Sequence, residues 1–219
     1  GSVYAERRRI DDRAIDVALG LAAEAQRHWR RASLADRTAY CSAAVDAMLS
    51  MRDAIAPELA WQMGRPVRYG AGELRGFEER ARHMIAIAPD ALADIDVGDK
   101  PGFKRLIRRA SLGTVLVIAP WNFPLAIPCG MFAAALVTGN TVVLKPAEQT
   151  SAIAAERFRA FLDAGLPPQA AAFLPGIGEE IGPLLVKHRA VSTIVFTGSK
   201  QVGISIVEEA GKVAPGSEH

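Results

Sequence analysis

Four short stretches hold the residues whose types and spacing could do chemistry: "APWNFP" at 119–124, "KPAE" at 145–148, "PGIGEE" at 175–180 and "FTGSKQVG" at 196–203. In the first, Asn122 is an amide on a turn whose backbone is fixed by Pro120 and Pro124, and an N–H so placed can donate to an oxygen that becomes negative during reaction. The same amide can instead satisfy the turn's own backbone, as asparagine often does. In the second, Lys145 and, three residues on, Glu148 can hold the two hydroxyls of a ribose. Glu148 would then repel a 2′-phosphate and favour NAD over NADP. The plainer alternative is a surface lysine with a carboxylate near a helix N-terminus, where the helix dipole favours it. Gly176 and Gly178 precede one helical pattern, and Gly198 and Gly203 bracket "SKQV" at the start of another. Small residues let a pyrophosphate approach the backbone, helix N-termini present free N–H groups to anions, and Ser199 adds a hydroxyl. Neither stretch is a G-x-G-x-x-G fingerprint, and such glycines also serve simply as tight strand-to-helix turns.

Other chemistries find little support. Cys41 and Cys129 give neither a disulfide framework nor metal-ligand spacing, so no metal site is expected and a reducing cytoplasm is the default compartment. Cys129 heads an apolar helix with no histidine close in sequence and reads as a small buried hydrophobe. His28, His83, His188 and His219 are scattered without a visible acid–base partner. A net charge of +2 is far from the basic balance that nucleic-acid binding requires, so the arginine clusters read as solvated surface. The opening "GSVYAERRRID" carries charge with no apolar stretch behind it, the pattern of neither a secretory signal nor a native start.

Positioning these stretches requires a core, and 219 residues that are half hydrophobic can supply one. No charge occurs between Arg109 and Lys145, which raises a membrane span. Prolines, Gly139, Asn122 and Asn140 interrupt that run, and lipid would leave the interrupted backbone unpaired. A buried strand–helix–strand unit explains the same composition, because parallel strands covered on both faces read as continuous apolar runs. The pattern predicts strands near 114–119, 141–145, 171–174 and 193–197. Helices follow near 127–137, 151–163, 179–188 and 200–212, with Gly165 as a C-terminal cap. Such alternation means right-handed β-α-β units, a parallel sheet and ligands at the carboxyl ends of its strands.

Ahead of that unit, apolar positions from Ile15 to Trp29 predict one amphipathic helix, and Ser33 with Asp36 resembles the cap of a second. Pro57 is expected to separate this from a third helix ending at Gly64, and a fourth is expected from about Glu73 to Ile87, stopped by Pro89. From Val97 to Leu112 the pattern suggests a β-ribbon turning at Gly98-Asp99.

Taken together, "PWNFP", "GNTVVLKPAEQT", "AGLPP", "PGIGEEIG" and "VFTGSKQVG" resemble the aldehyde dehydrogenase superfamily, with a helical first half of the same cast around "WQMGRP". The resemblance implies an α/β fold: a helical N-terminal region (1–96), an oligomer-joining ribbon (97–113) and an incomplete Rossmann-like NAD-binding part (114–219). It implies that Asn122 stabilises an oxyanion and that Lys145 and Glu148 hold the adenosine ribose. Gly198 and Ser199 would meet the pyrophosphate, Gly178, Phe196 and Val202 would line the adenine and nicotinamide approach, and Ala119, Pro120 and Trp121 would line the cofactor near the reacting carbon. It further implies a small aldehyde substrate, a soluble homo-oligomer, and a nucleophilic cysteine and general-base glutamate lying beyond His219, so that the chain binds dinucleotide without completing oxidation. Within the superfamily, "PWNFPLAIPCGM" and "ALVTGNTVVLKPAEQT" look like glutamate semialdehyde (pyrroline-5-carboxylate) dehydrogenases of proline breakdown, while the first half looks closer to general or succinate semialdehyde branches. A non-catalytic dinucleotide-binding or assembly module is the alternative from another class. If no strand followed, the sheet would end in an unpaired edge near 192–197, an association hazard.

Overall fold

The computed structural model describes residues 10–212. Four parallel strands, β3 (Thr114–Ile118), β4 (Thr141–Lys145), β5 (Ala171–Phe173) and β6 (Val191–Phe196), form a sheet in the order β5-β4-β3-β6. The predicted strands are therefore present, with β6 beginning two residues earlier than its hydrophobic run suggested. Alternate side chains leave a strand on opposite faces, so this sheet can be covered twice. Val115, Val117, Val142 and Leu144 face the larger core, shared with helices α2 (Leu34–Ser50), α4 (Gly70–Ala91), α5 (Ala126–Val137) and α6 (Ser151–Asp163). Leu116, Val143 and Ile194 face the smaller core, against α1 (Asp12–Trp29) and α7 (Gly178–Val186). The uncharged run is thus buried core of the sheet and its helices, and among the described residues no helix is long and apolar enough to cross a membrane.

Local chemistry sets most helix ends. Asp11 accepts from the Ala14 N–H to start α1, and the Ser33 hydroxyl accepts from the Asp36 N–H to start α2. Gly165, at φ 94°, follows α6 in the left-handed region. At its far end α1 is latched to the sheet: the buried Gln26 amide accepts from the Thr141 N–H at 2.6 Å and donates to the Gly139 carbonyl at 2.9 Å.

Two proline expectations are corrected. Helix α3 (Arg52–Met63) contains Pro57, and the break from α2 falls at Met51. Likewise α4 starts at Gly70, runs through Pro89 and ends at Ala91. An internal proline removes one backbone donor, a loss that buried Ile55 and Leu59 in α3 and Ala88 in α4 offset by packing. The ribbon is real but short: β1 (Ile95–Asp96) pairs antiparallel with β2 (Leu106–Ile107), and its tip lies between Lys100 and Phe103 instead of at Gly98-Asp99. Gly98 serves as a positive-φ bend below the tip. Helix α8 (Lys200–Ala210) closes the described chain.

Candidate active and dinucleotide site

Sheet register brings the chemistry-bearing turns together. Ile118, the last residue of β3, pairs with Lys145 on one side and Phe196 on the other. The three strands therefore end in one row, and "PWN", "KPAE" and "FTGS" all leave from that row. Hydrogen bonds continue just past it: the Ala119 N–H donates to the Lys145 carbonyl at 3.1 Å and the Thr197 N–H to the Ile118 carbonyl at 3.2 Å.

The turn after β3 carries Asn122 at the surface, between exposed Trp121 and Phe123. Its amide makes no hydrogen bond to any described residue, so it does not serve the turn's own backbone and stays free to donate outward. Ala119 is buried and Pro120 half-buried beneath it.

A second group forms beside the end of β4. The Lys145 side chain is buried and its ammonium lies 3.2 Å from a carboxylate oxygen of the more exposed Glu148. Gly178, first residue of α7, faces this pair: a Cβ there would sit 3.6 Å from Lys145 Nζ and 3.9 Å from Glu148 Oε2, filling the space a ribose would need. Burial pushes the Glu148 carboxyl up, but its own backbone N–H, Lys145 and Gln149 outweigh that and hold it below the ordinary value.

The third group is the turn into α8. Ser199 caps this helix, its Oγ accepting from the Val202 N–H at 3.3 Å, which leaves the hydroxyl hydrogen available to a phosphate oxygen. Gly198 lets the Phe196 ring lie against the turn: a Cβ there would come within 2.5 Å of the ring, which would have to shift. The two glycine turns also differ in charge. Helix α7 opens with Glu179 and Glu180, whereas α8 has no acid in its first turn. A helix N-terminus that already holds carboxylates repels a second anion, so α8 suits a pyrophosphate better than α7 does.

Two features escaped the sequence reading. Glu73, in the first turn of α4, is buried and its Oε1 accepts from the N–H groups of Leu125 and Ala126, both at 3.1 Å, at the start of α5. Arg65 lies with its guanidinium carbon 4.7 Å from the centre of the Phe123 ring. The available signal was the small-residue start of α4, "GAGELRG", which lets it approach α5 closely; a Cβ on Gly76 would touch Ala126 at 3.5 Å. His188 also has a partner after all: its Nε2 lies 3.0 Å from Asp16 Oδ1. That pair sits at the amino end of β6, away from the row, and joins α1 to the sheet. Both cysteines are buried, and among the described residues no cluster could hold a metal.

The profile of the aldehyde dehydrogenase family matches residues 1–216. This chain belongs to that family. It is 37% identical over 208 residues to 1-pyrroline-5-carboxylate dehydrogenase 2 of Bacillus subtilis, covering 93% of this chain and 40% of that protein. With the 1-pyrroline-5-carboxylate dehydrogenase of Bacillus cereus identity rises to 52%, over 105 residues, or 48% of this chain and 20% of the other. The chain spans about two fifths of the length of the curated relatives it matches over most of its own length. Among solved structures, proline utilization A from Bdellovibrio bacteriovorus superimposes with a TM-score of 0.91 at 35% identity, over 96% of this chain and 22% of that one. An NADP-dependent glyceraldehyde-3-phosphate dehydrogenase from Bacillus halodurans, complexed with NADP, gives 0.86 at 30% identity, over 94% and 44%. The aldehyde dehydrogenase fold expected from the motifs is therefore the fold present.

Proposed function

We propose that this chain supplies the dinucleotide-binding and oxyanion-stabilising part of an NAD-dependent oxidation of glutamate γ-semialdehyde to glutamate. The observation that carries the reading is the row Lys145–Ile118–Phe196, from which the Asn122 turn, the Lys145–Glu148 pair and the Ser199-capped start of α8 all emerge at one end of the sheet. The relatives named for pyrroline-5-carboxylate and proline utilization support the choice of substrate.

Lys145 donates to ribose hydroxyl oxygens and Glu148 accepts from the hydroxyls, while the backbone at Gly198 and the Ser199 hydroxyl meet the pyrophosphate. Gly178, Phe196 and Val202 line the bases, and Ala119, Pro120 and Trp121 line the path to the reacting carbon. When bound, the nicotinamide supplies the hydride acceptor. Asn122 Nδ2 donates to the aldehyde oxygen, and this hydrogen bond strengthens as the oxygen becomes negative, which lowers the barrier selectively. Glu148 disfavours a 2′-phosphate by like charge, so the expected cofactor is NAD over NADP. Residues 114–212 form the nucleotide-binding layer with the helical 10–96 segment packed on it. The ribbon at 97–113, with Phe103, Ile107 and Leu112 exposed, is the surface that joins subunits into a homo-oligomer.

The test measures intact mass of the natural gene product alongside NAD reduction with glutamate semialdehyde, succinate semialdehyde and an aliphatic aldehyde. Preference for glutamate semialdehyde, with Asn122→Ala lowering kcat about 100-fold or more, supports the reading. NAD binding that Lys145→Ala weakens, without turnover of any aldehyde, would leave a dinucleotide-binding module. Equal affinity for NADP would remove the role given to Glu148.

A further inference from the structure

The start of α5 has an unusual solution to a common problem. The first N–H groups of a helix have no partner within it, and a polar residue at the N-cap normally satisfies one of them. Here the N-cap is Leu125, whose side chain cannot do so. Pro128 has no N–H to satisfy. The N–H groups of Leu125 and Ala126 are taken by Glu73, which reaches across from α4, 52 and 53 residues earlier. Glu73 is 5% exposed, and its second oxygen, Oε2, is buried with no hydrogen-bond partner among the described residues. A buried carboxylate oxygen without a partner costs stability, so packing alone does not account for an acid at this place.

Location suggests what the cost supports. Leu125 lies three residues after Asn122, and Asn122 has no hydrogen bond to any described residue to fix it. The turn is held instead from its two ends: the row of strand ends before it, and Glu73 after it. Arg65 adds a contact in the middle through the Phe123 ring. Glu73 also sits between two helix N-termini, the first turn of its own helix and the start of α5, whose dipoles both favour a negative group. Acids on the surface of α4, such as Glu78, are engaged elsewhere, with Arg82.

We propose that Glu73 is a positioning residue that acts through Asn122: by clamping the Leu125 and Ala126 N–H groups it sets where the Asn122 amide stands against the aldehyde oxygen. This rests on the oxyanion role given to Asn122 above. Misplacing a catalytic group by about 1 Å can cost a factor of about 100 in rate. Glu73→Ala therefore lowers kcat about 10- to 100-fold, with a much smaller change in the dissociation constant of NAD, whose ribose and pyrophosphate partners lie away from this turn, at the end of β4 and the starts of α7 and α8. Glu73→Gln keeps an acceptor oxygen for both N–H groups and restores kcat to within about fivefold of the parent.

The deciding experiment is a double-mutant cycle on the natural gene product, with Asn122→Ala as the second change. If Glu73 acts through Asn122, Glu73→Ala has nearly no further effect once the amide is gone, because groups acting as a unit are not additive. Full additivity, with Glu73→Ala slowing Asn122→Ala by the same factor as the parent, overturns the proposal. So does a Glu73→Gln protein as slow as Glu73→Ala. Amide proton shifts of Leu125 and Ala126 in the 219-residue chain test the clamp without any turnover: loss of their downfield position in Glu73→Ala but not Glu73→Gln is expected, and unchanged shifts in both overturn it. A parent protein that oxidises no aldehyde, yet shows those shifts, would place the failure in the proposed reaction and withdraw the catalytic role of the clamp with it.

Discussion

The units β3–α5 and β6–α8 follow the same plan, a parallel strand, a short turn and a helix, yet they are secured in opposite ways. In the first, residues 114–117 of the strand are buried and so are nine of the twelve residues of α5. In the second, β6 is only half-buried at the edge of the sheet and α8 has no buried residue. The helix starts differ in the same sense. Distant Glu73 holds α5, whereas α8 is capped by its own Ser199, three residues from the N–H it serves. The proposed roles fit that difference: a turn proposed to aim one amide at one atom is fixed by long-range contacts, and a turn proposed to receive a phosphate is built from local ones.

Core truncation separates the two units most strongly. Leu116→Ala in β3 should cost about 2–5 kcal/mol, read as a shift in the urea unfolding midpoint at constant slope. Ile194→Ala in β6 should cost clearly less, because its side chain is already partly solvated; equal losses would break the contrast. Ser199→Ala should cost about 1 kcal/mol, with the added amide exchange confined to the first turn of α8. Spreading of that exchange into β3 would mean that the α8 cap is not local.

Two acids sharpen the contrast through pH. Burial raises the Glu73 carboxyl above the ordinary 4.5, partly opposed by the Ala126 and Leu125 N–H groups and by Arg65 and Arg80. Its shift thus favours the fold fully below 4.5, and that benefit is lost as pH rises through the folded value. Glu73→Gln should gain stability relative to the parent as pH climbs past 4.5. For Glu148 the shift is downward, so its benefit is present above 4.5 and lost as pH falls through the lower folded value. The stability difference between Glu148→Gln and the parent should therefore shrink on acidification. Parallel pH profiles for the two variants would contradict this assignment.

Last and smallest, Val207→Lys on the exposed face of α8 should alter stability by no more than about 0.5 kcal/mol. It should nevertheless reduce self-association of the 219-residue chain in light scattering, because β6 is the edge strand among the described residues and Val202, Ile204 and Val207 are exposed on the helix that follows it.

Local signals made much of this legible. Continuous apolar runs around "TVLVI" and "TVVLK" marked buried parallel strands, Ser33 and Gly165 marked helix ends, and the turns after β3, β4 and β6 were legible as turns that leave from one end of the sheet. The proline misreadings at Pro57 and Pro89 came from weighting a local penalty above the burial that outweighs it. Glu73 was not legible as the cap of α5 because its partners lie half a hundred positions downstream and only the α4–α5 approach brings them together. His188 was missed for the same reason, its partner Asp16 being 172 residues away.

The Gln26 latch has a kinetic side. Its partners Gly139 and Thr141 lie 113 and 115 residues further along, so α1 cannot dock until more than a hundred further residues have been made. Closing so long a loop is entropically unfavourable until β4 pairs with β3, which makes docking of α1 a late event in folding. Until then Ile15, Leu19 and Ala22 present their apolar stripe to water, which makes nascent α1 a segment for a chaperone to shield.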